Sequence, residues 1–204
     1  MVLAGYTKRS NGVKELTEIR WHGRGGQGAK TAALLFADAA LAQGLYIQAF
    51  PEYGPERMGA PVTAFNRLSS KPILLHSGVI NPAIVIVLDP TLVESVDVTE
   101  GMPDDGVLLI NTEKSPADVK KLFNTIGAFK VFTVDASTIS KETIGREIPN
   151  TPMLGALIKA TGILDFKAMI EDMRKKLEKK FKSKPEVIEG NLKAIERAYG
   201  EVKS

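Results

Sequence analysis

The sequence predicts an α/β protein: a three-layer domain with a mostly parallel sheet, a β-rich middle and C-terminal helices. Three observations predict it. Near the N-terminus a glycine-rich turn joins a short alternating segment to an alanine-rich helical one. The run Ala83-Ile84-Val85-Ile86-Val87-Leu88 has the composition of a parallel strand buried on both faces. Extended and helical segments alternate before a helical end, as expected of a sheet with crossover helices.

The elements follow in order. Residues 1–17 read as an N-terminal arm, rich in Gly, Ser, Asn and charge, ahead of a single domain over 18–204. Glu18 to His22 is the first strand, by its alternation and its β-formers. Ala29 to Gln43 is a helix that stops at Gly44. Its apolar residues cover most faces, so it should be buried between other elements. Leu45 to Phe50 is the second strand. Pro51 to Pro61 holds too many prolines and glycines for regular structure. Val62 to Leu68 is a strand, with Ile73 to His76 as its hairpin partner across Ser69-Ser70-Lys71-Pro72. The apolar strand from Ala83 ends at Asp89-Pro90. Val107 to Ile110 and Val131 to Val134 are further strands, separated by a helix over Ala117 to Ile126. Thr151-Pro152 reads as an N-cap followed by proline at the first helical position, with Gly162 as the stop. Phe166, Met169, Ile170, Met173, Leu177 and Phe181 share one helical face. Ser183 and Glu186 have capping-box spacing and should open a last helix with Ile188, Leu192, Ile195 and Tyr199 inside.

Composition removes several function classes. The 204 residues contain no cysteine, so disulfides, Cys nucleophiles and thiolate-bound iron–sulfur clusters are excluded within this chain. Two histidines, His22 and His76, are too few for a histidine-rich metal site, and no metal ligand set is expected. A net charge of +3 is too small for a nucleic-acid partner. The longest apolar stretch, Ala32 to Ala42, is broken by Asp38 and too short to span a bilayer. No secretory leader is read at Met1 to Gly5, and the expected location is cytoplasmic.

The strongest local signal is Gly23-Arg24-Gly25-Gly26-Gln27-Gly28, a G-x-G-x-x-G between a strand and a helix, which makes the expected fold Rossmann-like. Glycines let the backbone turn tightly and approach a ligand, and the helix N-terminus offers free N–H groups and partial positive charge to an anion. Arg24 would add a charge-assisted contact. A dinucleotide site also needs an acid about 20 residues on, at the end of the second strand. The nearest, Glu52, follows Pro51 in a loop. Three uses of the turn therefore stand: a phosphate cradle, a close strand–helix joint, or a protein contact.

Further residues resemble a known family. Trp21-His22-Gly23-Arg24-Gly25-Gly26-Gln27-Gly28 with its alanine-rich helix resembles the opening of the gamma subunit of pyruvate:ferredoxin oxidoreductases and related 2-oxoacid enzymes. Gln48-Ala49-Phe50-Pro51, Tyr53-Gly54-Pro55-Glu56-Arg57 and Gly59-Ala60-Pro61-Val62 resemble its second motif, and Asn150-Thr151-Pro152-Met153-Leu154-Gly155-Ala156-Leu157 its later helix. The resemblance implies a subunit with no catalytic residue of its own. Its complex would convert pyruvate, coenzyme A and oxidised ferredoxin into acetyl-coenzyme A, carbon dioxide and reduced ferredoxin. It implies alpha, beta and delta partner subunits, with thiamine diphosphate, Mg and [4Fe-4S] clusters carried by them. It further implies that Glu56 and Arg57 touch a partner subunit or the coenzyme A path. The alternatives are a stand-alone Rossmann oxidoreductase using NAD or FAD, and a gamma subunit serving a branched-chain 2-oxoacid.

Other residues have two readings each. His22 either hydrogen-bonds a ligand phosphate or is satisfied by backbone. Asp89 either meets a ligand at the strand's C-terminal edge or is a turn residue before Pro90. Glu18 and Arg20 read as facing polar surroundings. The lysine-rich stretch Arg174 to Lys184 is either the solvated side of a docked helix or a surface attracting acidic ferredoxin or coenzyme phosphates.

Overall fold

The computed structural model describes residues 16–52, 59–123 and 128–204. Six strands form one sheet: β1 (Thr17–Arg24), β2 (Tyr46–Glu52), β3 (Pro61–Ser69), β4 (Ile84–Val87), β5 (Val107–Asn111) and β6 (Lys130–Val134), in the order β2-β3-β1-β4-β5-β6. The β1–β4, β4–β5 and β5–β6 pairs are parallel. β3 runs antiparallel to both neighbours, β1 and β2, and is the one strand against the common direction. The α/β class and the mostly parallel sheet are as expected from sequence.

The helices are α1 (Ala29–Ala42), α2 (Pro116–Lys120), α3 (Ala136–Ile144), α4 (Asn150–Thr161), α5 (Phe166–Lys180) and α6 (Pro185–Glu201), with a short 3-10 turn at Pro90–Glu94. Strand alternation divides β1 cleanly. Ile19 and Trp21 point into the larger core with α1 and α4, and α3, α5 and α6 pack beyond them. Burying such side chains stabilises the fold by about 1.5–3 kcal/mol each. The second core lies on the opposite face. Val85, Val87, Leu108, Ile110 and Val131 pack there against Leu92, Val98, Val119 and Phe129. The layers are unequal: five helices cover one face, and the 3-10 turn and α2 cover part of the other.

Polar pairing locks strand to helix. The Trp21 indole N–H donates to the Asn66 side-chain oxygen at 2.7 Å, and the Asn66 amide donates to the Ala33 carbonyl at 3.0 Å. On the other face Arg67 is 1% exposed. It donates to Glu18 at 2.7 Å and to the Ser77 and Gly78 carbonyls at 2.6 and 2.9 Å, pinning the segment after β3 over the sheet. Small residues set the helix crossings. A Cβ on Gly155 would enter the Ile195 carbonyl of α6, and one on Gly190 the Thr143 carbonyl of α3.

Several boundaries differ from the sequence expectations. Residues 73–76 are irregular, with Leu74 84% exposed, and are not the hairpin partner of β3. β3 has β1 on one edge and β2 on the other, so no edge remains for a third partner. The two ends of the stretch Pro51 to Pro61 are regular: Pro51 and Glu52 belong to β2, and Pro61 opens β3, while residues 53–58 lie outside the described residues. Proline is tolerated on an edge strand and at a first strand position. The helix expected over Ala117 to Ile126 shrinks to α2, and residues 124–127 lie outside the described residues. Helix α4 starts at Asn150, so Thr151 and Pro152 sit inside its first turn, where Asn150 Oδ1 accepts the Thr151 N–H at 2.7 Å. Ser183 does not cap α6. The cap position is Lys184, without a side-chain bond, and Pro185 starts the helix through its fixed φ. Helix α3 was not singled out from sequence, although Asp135 caps it at the Thr138 N–H and Gly145 ends it. The basic stretch takes the docked form: α5 buries Met169, Met173 and Leu177, while Arg174 pairs with Glu189 and Lys176 with Asp172. Most of the arm, residues 1–15, lies outside the described residues.

Candidate functional site

The sheet reverses its winding between β1 and β4. From β1 the chain crosses α1 to reach β2 on one side, and from β4 it steps through β5 to β6 on the other. In open α/β sheets ligands bind at this switch point, beyond the carboxyl ends of the strands. Two connections meet there: the glycine turn after β1, and Asp89 to Thr91 after β4.

The glycine turn is built as its sequence suggests. Gly26 and Gly28 have φ of 99° and 82°, in the left-handed region that favours glycine. Gly28 is the N-cap of α1, with no side-chain cap over the helix N–H groups, and a Cβ there would run into the Asn150 side chain. Gly23 lets β1 approach α1 and β4: an added Cβ would stand 3.3 Å from both Ala29 Cβ and Leu88 Cδ1.

The turn's polar side chains are engaged with the β4 connection. Gln27 accepts from the Arg24 N–H at 2.8 Å and donates to Asp89 Oδ2 at 2.7 Å. Arg24 donates to Thr91 Oγ1 at 2.9 Å and to the Gly59 carbonyl at 3.1 Å, and its Nε stands 3.3 Å from Asp89 Oδ2. Asp89 also accepts from the Thr91 N–H and hydroxyl. Burial raises the Asp89 pKa. Hydrogen bonds from Thr91 and Gln27 and the charge of Arg24 outweigh burial, so its carboxyl lies below the ordinary value. Asp89 takes the turn reading: at the carboxyl edge of the central strand it caps the turn through Pro90.

The structure brings the three recognised motifs together. The Gly25 N–H donates to the Ala60 carbonyl at 2.9 Å, and the Gly59 N–H to the Gly25 carbonyl at 3.4 Å. On the other side Gly28 abuts Asn150 at the start of α4. Glu56 and Arg57 lie outside the described residues, between the end of β2 and Gly59. His22 does not join this group. It alternates onto the opposite face of the sheet from α1 and lines a cavity with Arg20, Phe50, Phe65 and Glu100. Burial, followed by the charge of Arg20, pushes its pKa down to about 4, so the ring is neutral at pH 7. Sequence reasoning missed Thr91 as a partner of Arg24. The signal available was the Asp-Pro-Thr order, which favours a capped turn.

Beside the switch point, the carboxyl ends of β4, β5 and β6 border a cavity of about 410 Å³ lined by Asp89, Glu113, Asp135 and Glu147. These carboxylates repel a phosphate. The acid a dinucleotide site would use is also displaced. Glu52 does end β2, but β3 stands between β2 and β1. With strands about 4.8 Å apart, Glu52 is one strand too far from the glycine turn.

Fold and site together define an α/β protein whose glycine turn, second loop and α4 start meet at the switch point, with Glu52 displaced from the place of a nicotinamide enzyme's acid. The family model described as pyruvate ferredoxin/flavodoxin oxidoreductase matches residues 18–201. The chain is 50% identical over 191 residues to pyruvate synthase subunit PorC of Thermotoga maritima, covering 94% of this chain and 97% of that one. It is 47% identical over 184 residues to the pyruvate/ketoisovalerate oxidoreductases common subunit gamma of Pyrococcus abyssi, covering 90% and 96%. The crystal structure of the pyruvate oxidoreductase subunit PORC from Thermotoga maritima superposes with a TM-score of 0.80 at 48% identity, covering 93% and 98%. This chain belongs to the pyruvate ferredoxin/flavodoxin oxidoreductase family.

Proposed function

We propose that the chain is the gamma subunit of a cytoplasmic pyruvate:ferredoxin oxidoreductase, folded as one domain over 18–204 and assembled with alpha, beta and delta subunits. The complex converts pyruvate, coenzyme A and oxidised ferredoxin into acetyl-coenzyme A, carbon dioxide and reduced ferredoxin. The meeting of the glycine turn, Gly59-Ala60 and Asn150 at the switch point carries the reading, because the segments shared with the family come together there.

The chain's part is positioning. With no cysteine it supplies no thiolate to a cluster. The clusters, thiamine diphosphate and its Mg belong to companion subunits. The N-terminus of α1 and Arg24 favour the anionic end of coenzyme A, and Glu56 and Arg57 serve a partner-subunit contact or the coenzyme A path. A second reading is a gamma subunit that also serves a branched-chain 2-oxoacid enzyme, favoured by the 47% identity to a subunit named as common to pyruvate and ketoisovalerate oxidoreductases. The test is purification of the native complex, followed by pyruvate- and coenzyme A-dependent ferredoxin reduction with and without this chain. Loss of activity on its removal is expected. A chain found without companions, or activity indifferent to its removal, rejects the proposal.

A further inference from the structure

The face of β1, β3 and β2 opposite α1 holds a second site. A cavity of about 440 Å³ is walled by Phe50, Pro51, Phe65 and Val79, with Glu52, Asp97 and Glu100 around it. Its floor holds Arg20 and His22, which are 8% and 6% exposed. Arg20 donates to the Val98 carbonyl at 3.1 Å and the Glu100 carbonyl at 2.6 Å. The Val98 backbone also stands beside the His22 ring. Among the described residues three buried side-chain polar atoms lack a partner, and two of them, Arg20 Nε and His22 Nε2, belong to this floor. A buried donor or acceptor left unpaired costs about 1–3 kcal/mol, so two in one cavity mark a place completed by another group.

The occupant's chemistry follows from the lining. Three carboxylates face one guanidinium, so the cavity repels anions, including both a 2-oxoacid and coenzyme A. The His22 ring is neutral and its Nε2 is unpartnered, so as the Nδ1–H tautomer it offers an acceptor. Arg20 Nε offers a donor. The Phe50 and Phe65 rings, 5.4 Å apart, form an apolar wall, with the Arg67 guanidinium already 5.5 Å from the Phe50 ring centre.

We propose that this cavity receives a basic side chain, arginine or lysine, from a companion subunit. The side chain donates to the carboxylates and His22, and its peptide carbonyl accepts from Arg20. The inference rests on the proposed role as a complex subunit and names an anchor for it.

The test uses Glu52→Gln combined with Glu100→Gln. Both changes keep the side-chain shape, and the Glu100 backbone carbonyl that holds Arg20 stays in place. Affinity for the co-purified companion chains should fall roughly tenfold or more and lose part of its salt dependence, as for a buried interfacial charge pair. Unchanged unfolding of the isolated variant shows that the fold is intact. On the isolated ¹⁵N-labelled chain, methylguanidinium chloride should shift the His22 ring signal saturably, where sodium chloride at equal ionic strength does not. His76, the only other histidine, serves as the control. Assembly with unchanged affinity overturns the anchor, as does a His22 Nε2 already hydrogen-bonded in the isolated chain. A wild-type chain with no companions instead sinks the subunit reading, so the two failures are distinguishable.

Discussion

At the residue scale, Asn66 serves two partners that are far apart in sequence, the Trp21 indole and the Ala33 carbonyl. Both bonds are buried, so Asn66→Ala leaves a donor and an acceptor unpaired. The expected loss is about 2–4 kcal/mol in urea denaturation. His22 makes a pH-dependent contribution. Its pKa is about 4 in the folded chain against 6.5 for the free side chain. The unfolded chain therefore binds more protons between these values, and stability rises with pH across the window. The contribution is whole above pH 6.5 and fades as pH falls toward 4, by about 3 kcal/mol in all. Denaturation between pH 4 and 7 should show this slope, and His22→Asn should flatten it. Arg24 tests the site itself: Arg24→Ala in the assembled complex should raise the KM for coenzyme A several-fold, with the KM for pyruvate little changed. An unmoved KM for coenzyme A assigns Arg24 to holding Asp89 alone.

At the scale of elements, contacts between helices depend on absent side chains. Gly155 brings the backbone of α4 against the Ile195 carbonyl of α6, in the middle of the larger core. Gly155→Ala should cost about 1–3 kcal/mol, as overpacking does, and lower the thermal midpoint without changing the helical signal. The same residues show why some element ends were readable and others not. Gly44 and Gly162 mark helix ends because their φ of 78° and 62° suits glycine locally. Ser183 looked like a cap by spacing, yet Pro185 one turn-step later starts α6 with a geometry that leaves the serine outside. The extended look of residues 73–76 was true to composition, but pairing depends on a free strand edge, which β3 does not have.

At the scale of the molecule, the position of one strand decides the ligand class. β3 occupies the place beside β1 where a nicotinamide enzyme keeps its second parallel strand, which carries the acid for the ribose. Titration of the isolated chain with NADH or FAD should accordingly show no saturable binding in the micromolar range. Saturation there would restore the oxidoreductase alternative. The two faces of the sheet also divide the work. One is buried under five helices and gives stability. The other is covered over β1 and β3 only by irregular segments around Gly78 and Val98 and holds the charged side chains Glu18, Arg20 and Arg67.

The sequence by itself determined the α/β class, the central strand at Ala83 to Leu88, the glycine turn with its helix, and the family. Each is written in residues close along the chain, where backbone propensity and alternation act locally. That Arg24 and Gln27 meet Asp89, that Gly59-Ala60 and Asn150 close on the glycine turn, and that His22 turns away from it came from packing across the sheet. Those contacts join segments tens of residues apart. Their partners are set by strand order, and strand order depends on which edges and faces remain free once the sheet has formed.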